Sequence, residues 1–237
     1  MDAMFFIVLG ATLASFLLTL LFGRFVIPML RALHAGQSIR EVGPQWHNTK
    51  AGTPTMGGIM FIAAIILCTV GFGWKSMTEN HDYTHLYVLA LALCYGLVGF
   101  ADDFVKVKLK RNLGLTASQK FLLQLAAAVL FLVLLRRSGA VTPDLYIPFF
   151  NVEIVGIPWP IYMVFAVFVI VATVNAVNLT DGVDGLSGTL SIITIMSIYI
   201  VDRMKEVDET YSFLILLFAV CILGYLWYNA TPSKLMM

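Results

Sequence analysis

Seven apolar runs, each close to the length that crosses a bilayer, lie at roughly residues 4–30, 55–74, 84–101, 118–135, 159–178, 185–201 and 211–228. Hydrocarbon offers the backbone no hydrogen-bond partner, so a crossing segment must be a helix of ~20 predominantly apolar residues. The runs predict an all-α polytopic membrane protein with about seven transmembrane helices. Composition agrees: 59% of residues are hydrophobic and 12% charged, against roughly 25% charged in an ordinary soluble domain. A formal net charge of +1 gives no case for nucleic-acid binding. Cys68, Cys94 and Cys221 fall inside apolar runs without metal-ligand spacing and read as small hydrophobes. Only Asp2 precedes the first run, with no basic segment, so that run is expected to be a retained span rather than a cleaved signal. The stretch 138–158 breaks the pattern. It holds Pro143, Pro148 and Pro158 and alternates from Asn151 to Ile157, which predicts a short extracytoplasmic β-hairpin.

Lysine and arginine in short loops set orientation. With the N-terminus outside, the inner segments hold nine: Arg31, Arg40, Lys50, Lys106, Lys108, Lys110, Arg111, Lys120 and Lys234. The outer segments hold five: Lys75, Arg136, Arg137, Arg203 and Lys205. An extracytoplasmic N-terminus follows, and three polar islands then share the cytoplasmic face, where odd-numbered crossings end. Those islands are Lys50-Ala-Gly-Thr-Pro-Thr-Met-Gly-Gly58, Asp102-Asp103, and Asn178-Leu-Thr-Asp181-Gly-Val-Asp184-Gly185.

A carboxylate at a membrane helix centre costs ~2.5–3.5 kcal/mol, so acids near hydrocarbon call for a function. Asp102 and Asp103 follow the third apolar run directly. Adjacent carboxylates repel unless a cation compensates them, and Mg²⁺ takes oxygen ligands while bridging substrate phosphates. As plain stop signals at a helix C-terminus they would oppose the macrodipole. In the third island, the glycines permit close approach, and the helix start beyond them favours an anion. Capping accounts for one of its acids but not for both. The first island is not a Walker A loop, since no Gly-Lys-Ser/Thr follows its glycines. Lys50, hydroxyls and amides there could hold phosphate, or Thr53 could cap a helix with Pro54 at its first position. Lys106, Lys108, Lys110 and Arg111 form a basic strip suited to anionic lipid, and compatible with guiding a lipid phosphate to the acids. His34, His47, His81 and His85 lack metal spacing and read as ordinary polar residues.

Together with Phe100-Ala-Asp-Asp-Phe104 and Gly114-Leu-Thr-Ala-Ser-Gln-Lys120, these islands resemble the phospho-N-acetylmuramoyl-pentapeptide transferase family, in family order from first span to last. The acidic pair alone is shared by the wider polyprenyl-phosphate N-acetylhexosamine-1-phosphate transferases. The Gly-Thr-Pro-Thr-Met-Gly-Gly run is the more specific signal.

The resemblance implies Mg²⁺-dependent transfer of phospho-MurNAc-pentapeptide from UDP-MurNAc-pentapeptide to undecaprenyl phosphate, giving lipid I and UMP, at the bacterial inner membrane. It implies metal ligation by Asp102, Asp103 and Asp181, and catalytic roles for Asp102, Asp103, Asn178, Asp181 and Lys120. It implies substrate contacts from Lys50, Thr55, Lys106, Gly182, Val183 and Asp184, with the last three facing uridine. Homodimerisation is left open. The family has ten spans and a further metal-binding Asp after a Tyr-Asn-Ala sequence such as Tyr228–Ala230. Residues 1–237 are therefore expected to form one integral membrane transferase domain, incomplete at its C-terminus. Alternatives are a sister-branch transferase, an inactive fragment and a secondary transporter. A transporter would hold its ionisable groups near the midplane.

Overall fold

The computed structural model describes residues 3–33, 53–79, 81–109, 114–147, 149–204, 209–230 and 232–236. Seven helices appear among them: α1 (Ala3–Ala32), α2 (Gly58–Glu79), α3 (Thr84–Leu109), α4 (Ala117–Ser138), α5 (Trp159–Thr180), α6 (Leu186–Met204) and α7 (Glu209–Asn229). Six are long and apolar enough to cross a membrane, and α2 presents a shorter apolar stretch over Gly58–Trp74. The multi-pass helical architecture expected from the apolar runs is present.

The expected hairpin is present too. Strands β1 (Leu145–Ile147) and β2 (Val152–Ile154) pair antiparallel between α4 and α5. Asn151, at φ 50°, turns the chain, and Asp144 Oδ1 accepts from Gly156 N at 2.8 Å.

The helices pack as two groups. Helix α7 lies against α1, α2 and α6, whereas α3, α4 and α5 pack in chain order. The groups meet where α2 touches α3 and where α5 touches α6. In the first group, small residues bring backbones together, as expected where lipid removes the hydrophobic drive for helix association. A Cβ on Gly224 of α7 would stand 2.7 Å from Thr19 Cβ of α1. Ser15 Oγ bonds Ala11 O at 2.7 Å and lies 3.0 Å from Cys68 Sγ of α2. Tyr228 Oη donates to Leu20 O at 2.9 Å. The second group has its own apolar cluster, Ala128, Leu132, Val167 and Val171, on the α4–α5 seam.

Two local expectations are corrected. Helix α2 starts at Gly58, so Thr53 is not its cap and Pro54 not its first residue. The segment before it pairs instead with residues far along the chain: Met236 N donates to Pro54 O at 2.9 Å, and Gly57 N to Met236 O at 2.8 Å. Pairing with residues far along the chain outweighs the local Thr-Pro preference for a helix start. Likewise Asp102 and Asp103 do not follow α3 but sit within it, since the helix runs on to Leu109. Lys106 stands three and four residues on, where side chains meet on a helix surface, and Lys106 and Lys108 complement the dipole in the last turn.

Candidate active site

Asp102 is 8% exposed, and three groups converge on it. Lys106 Nζ lies 2.6 Å from Oδ2 and also 2.8 Å from Asp103 Oδ1, so one ammonium bridges both carboxylates. Leu115 N donates to Asp102 Oδ1 at 2.8 Å. Lys120 Nζ stands 4.0 Å from Oδ2.

The geometry follows from how α4 begins. Thr116 and Gln119 form a capping box, Thr116 Oγ1 accepting from Gln119 N at 3.2 Å and Gln119 Oε1 from Thr116 N at 3.0 Å. That fixes the first turn and Lys120 within it. Asp102 thereby lies against the N-terminal end of α4, where backbone donors and the helix dipole favour negative charge. Such closeness requires Gly114. A Cβ there would stand 2.5 Å from Asp102 O and overlap its carboxylate.

A cavity of about 350 Å³ opens from this cluster into the seam between the two helix groups. Asp102, Asp103, Lys120, Asn178 and Asp181 line its polar end. Ile62 and Ile65 of α2, Leu89 and Leu93 of α3, and Phe218 and Ile222 of α7 are among its apolar walls. Five of the residues singled out from sequence thus share one chamber. Met56 and Gly58 of the first island line it as well.

The remaining described candidates do not line this wall. Thr55 is half-buried, and Gly182 and Val183 are exposed. Lys106 reaches the chamber only through the carboxylates it bridges. Lys50, Lys110, Arg111, His34 and His47 lie outside the described residues. Among the described residues, no three of His, Cys, Asp and Glu stand at metal-holding spacing, so Asp181 shares the chamber of Asp102 and Asp103 without closing a three-carboxylate cluster.

Asp184 belongs to a clasp joining the third island to the chain end. Its Oδ2 accepts from Ser233 N at 3.3 Å. Gly185 N donates to Asn229 Oδ1 at 3.0 Å, and Asn229 Nδ2 donates to Leu235 O at 2.9 Å. Gly185 has φ 74°, a left-handed conformation that favours glycine. Asp181 closes the C-terminal end of α5.

Sequence reading passed over Gln124, which is buried in α4 and lines the same chamber. Asn175 Nδ2 donates to Gln124 Oε1 at 2.8 Å, and Tyr95 Oη to Gln124 O at 2.9 Å, tying α3, α4 and α5 together behind the acids. The available signal was a lone amide inside an apolar run, which in a membrane helix faces the bundle.

Residues 85–237 match the glycosyl transferase family 4 model, and residues 50–62 match phospho-N-acetylmuramoyl-pentapeptide-transferase signature 1. A phospho-N-acetylmuramoyl-pentapeptide-transferase of Staphylococcus carnosus is 41% identical over 226 residues, covering 94% of this chain and 68% of the relative. Its counterpart in Oceanobacillus iheyensis is 40% identical over 223 residues, covering 94% and 67%. The chain belongs to the phospho-N-acetylmuramoyl-pentapeptide transferase family. A relative from a Geobacillus species is 44% identical over 156 residues, which cover 65% of this chain and 47% of the relative. The chain thus spans about half the length of that relative and two thirds of the other two. The signature falls on the first island, the segment that pairs with Met236 and lends Met56 and Gly58 to the cavity.

Proposed function

We propose that the protein transfers phospho-MurNAc-pentapeptide from UDP-MurNAc-pentapeptide to undecaprenyl phosphate, releasing UMP and forming lipid I for peptidoglycan, at the cytoplasmic face of the bacterial inner membrane. One observation carries the reading: a chamber that is acidic and cationic at one end and apolar along its walls. Such a chamber suits a reaction between a phosphate on a lipid and a soluble nucleotide sugar. Family membership supports the same chemistry, and the nine-to-five bias in lysine and arginine supports the cytoplasmic placement.

In this reading a phosphate oxygen of the lipid displaces UMP at the sugar-bearing phosphorus. The residues present fit Mg²⁺. Asp102 and Asp103 already converge on one cation, the Lys106 ammonium, and one or two carboxylates plus substrate phosphates are the usual Mg²⁺ set. Asp102 and Asp103 would hold the ion, with Asp181 across the chamber. When bound, it would neutralise phosphate oxygens as charge shifts toward the leaving group.

The chain's own residues do the positioning. Leu115 N and the start of α4 hold Asp102 in one orientation. Lys120 presents a second cation in the chamber. Lys106, only about a third exposed at its side chain, is free to follow an incoming phosphate once the carboxylates gain another cation. Asn178 offers an amide to the phosphates, while Gly182, Val183 and Asp184 lie beyond it toward the nucleoside. The resemblance of their motif supports a place for Thr55 and Lys50 on the nucleotide side.

The test is UMP release in membranes carrying the protein, with UDP-MurNAc-pentapeptide and undecaprenyl phosphate. Turnover that needs Mg²⁺ is expected, and chelation should abolish it. Equal turnover with UDP-GlcNAc would move the protein to the sister branch. Cysteines at positions 103 and 181 reacting from both faces of the membrane would contradict the one-sided chamber.

A further inference from the structure

The β1–β2 hairpin is amphipathic in a way that its pairing register makes explicit. Leu145 faces Ile154 and Ile147 faces Val152, and alternate residues of a strand share a face. One face of the ribbon is thus Leu145, Ile147, Val152 and Ile154. The other carries the remaining pair, Tyr146 and Glu153, with Tyr146 Oη donating to Asn151 Oδ1 at 2.9 Å. At the tip Phe149 is 95% exposed and Phe150 77%, and Val155 beyond β2 is 70% exposed. Soluble surfaces rarely present contiguous apolar patches beyond a few hundred Å² unless something covers them.

We infer that this apolar face lies in the bilayer interface, on the side of the membrane opposite the acidic chamber, as a monotopic anchor between α4 and α5. Helix α4 starts at the chamber and runs 22 residues, about 33 Å at 1.5 Å per residue, so its far end reaches the other side of the hydrocarbon. Only residues 139–144 separate it from β1, and only 155–158 separate β2 from α5. Ile157 N donates to Pro143 O at 3.0 Å, closing the base of the hairpin. The ribbon therefore cannot stray far from the lipid surface where both spans end.

The surrounding residues are those of a membrane interface. Arg136 stacks over the Trp159 ring at 4.5 Å, and Trp159 stacks on Tyr162 at 5.5 Å. Arginine and interfacial tryptophan and tyrosine mark headgroup level. An element with one apolar and one polar face, lying at that level, places the apolar face among acyl chains. Its partner is a lipid surface, continuous with the lipid around α4 and α5.

Spin labels test this in the whole protein, reconstituted in phosphatidylethanolamine–phosphatidylglycerol vesicles. The exposed Cys94 is first changed to Ser, leaving the buried Cys68 and Cys221. Labels are then placed by Phe150→Cys and, on the polar face, by Glu153→Cys. Dissolved oxygen concentrates in hydrocarbon and a neutral nickel chelate in water. The oxygen-to-nickel collision ratio should be several-fold higher at 150 than at 153. Equal nickel access at both would put the hairpin in water and overturn the proposal. Exclusion of both reagents at 150, or dipolar broadening between labels, would identify a protein partner or a second copy instead. Should Phe150→Cys fail to fold, Ile154→Cys on the apolar face reads out the same ratio.

Discussion

The two helix groups are built for different ends. Helix α7 has 44% of its spanning window buried inside the protein, whereas α3 and α5 have 11% each. Around α7 the contacts are small and close: Gly224 on Thr19, Gly23 against Tyr228, and hydroxyls of Ser15 and Thr19 returned to their own backbone. Around α3 polar ties join the packing, Tyr95 to Gln124 and Asp102 to the start of α4, and a chamber opens in the seam. One group is held by steric fit, and among the described residues none of its Asp, Glu, Lys or Arg side chains is fully buried. The other holds two carboxylates in place with lysines, a backbone amide and the end of a helix. If this division is right, substitutions in the second group should remove activity and spare the fold, and those in the first should do the reverse.

The sharpest test is Asp102→Asn or Asp103→Asn. Each keeps the side chain's size and removes the charge proposed to hold Mg²⁺. Losing several kcal/mol of transition-state stabilisation corresponds to about a 1,000-fold fall in UMP release or more, with the unfolding midpoint near that of the parent. Near-normal turnover in either would take that residue out of the mechanism. Gly114→Ala comes next. Its methyl group would overlap the Asp102 carboxylate, so the start of α4 or the carboxylate must move. A displacement of about 1 Å can cost about 100-fold in rate, and kcat should carry the loss. An unchanged rate would show that the α3–α4 junction has slack.

Gly224→Val inverts the pattern. The added side chain meets Thr19 in the tight α1–α7 contact. Overpacking of this kind costs about 1–3 kcal/mol, or very roughly 2–12 °C at about 2–4 °C per kcal/mol for a chain of this size. Activity per folded molecule should stay near that of the parent. A variant that folds normally but turns over slowly would erase the contrast between the groups.

Asp184→Asn is a finer probe, because two roles compete for Asp184. If it only accepts the Ser233 amide, Asn keeps an acceptor and KM for the nucleotide sugar is unchanged. If its charge meets the nucleoside side of the substrate, KM rises several-fold while kcat changes little. The second outcome is expected.

Much of this division was legible in the residues themselves. Apolar runs located the seven helices seen among the described residues, and the proline-rich 138–158 stretch located the hairpin. The end of α3 was misread because hydropathy falls at Asp102, while the helix continues through Phe104-Val-Lys-Val-Lys108 on side-chain pairs three and four apart. Asp102, Asp103, Asn178 and Asp181 announced themselves as polar groups beside hydrocarbon, whereas Lys120 was implied by the family resemblance. Their convergence on one chamber depends on the crossing of separate helices, which no local pattern encodes. The pairing of Pro54 and Gly57 with Met236 was hidden for the same reason, since its partners stand some 180 residues apart. Gln124 was readable from its setting alone, as an amide inside an apolar span.

The smallest expected effect concerns the end of the bundle away from the chamber, where Asp82 precedes α3. Partial burial opposes its ionisation, but donation from Tyr211 Oη to Oδ2 and from Thr84 N to Oδ1, with His85 nearby, outweighs it. Its folded pKa is therefore lowered below the ordinary 3.8. A carboxyl with a depressed folded pKa stabilises the protein above its unfolded pKa, and that contribution is lost as pH falls through the folded value. Asp82→Asn should lower stability at pH 7 by under about 1 kcal/mol, since the site is only partly buried and one donor loses its acceptor. At pH 3, below the ordinary value of 3.8, the unfolded chain takes up the proton more readily than the folded one, so part of this contribution is lost and the gap between the two unfolding midpoints should shrink. A gap of equal size at both pH values would show that the Asp82–Tyr211 contact acts by shape rather than charge. The α3–α7 tie at that end would then belong with the steric packing of the first group.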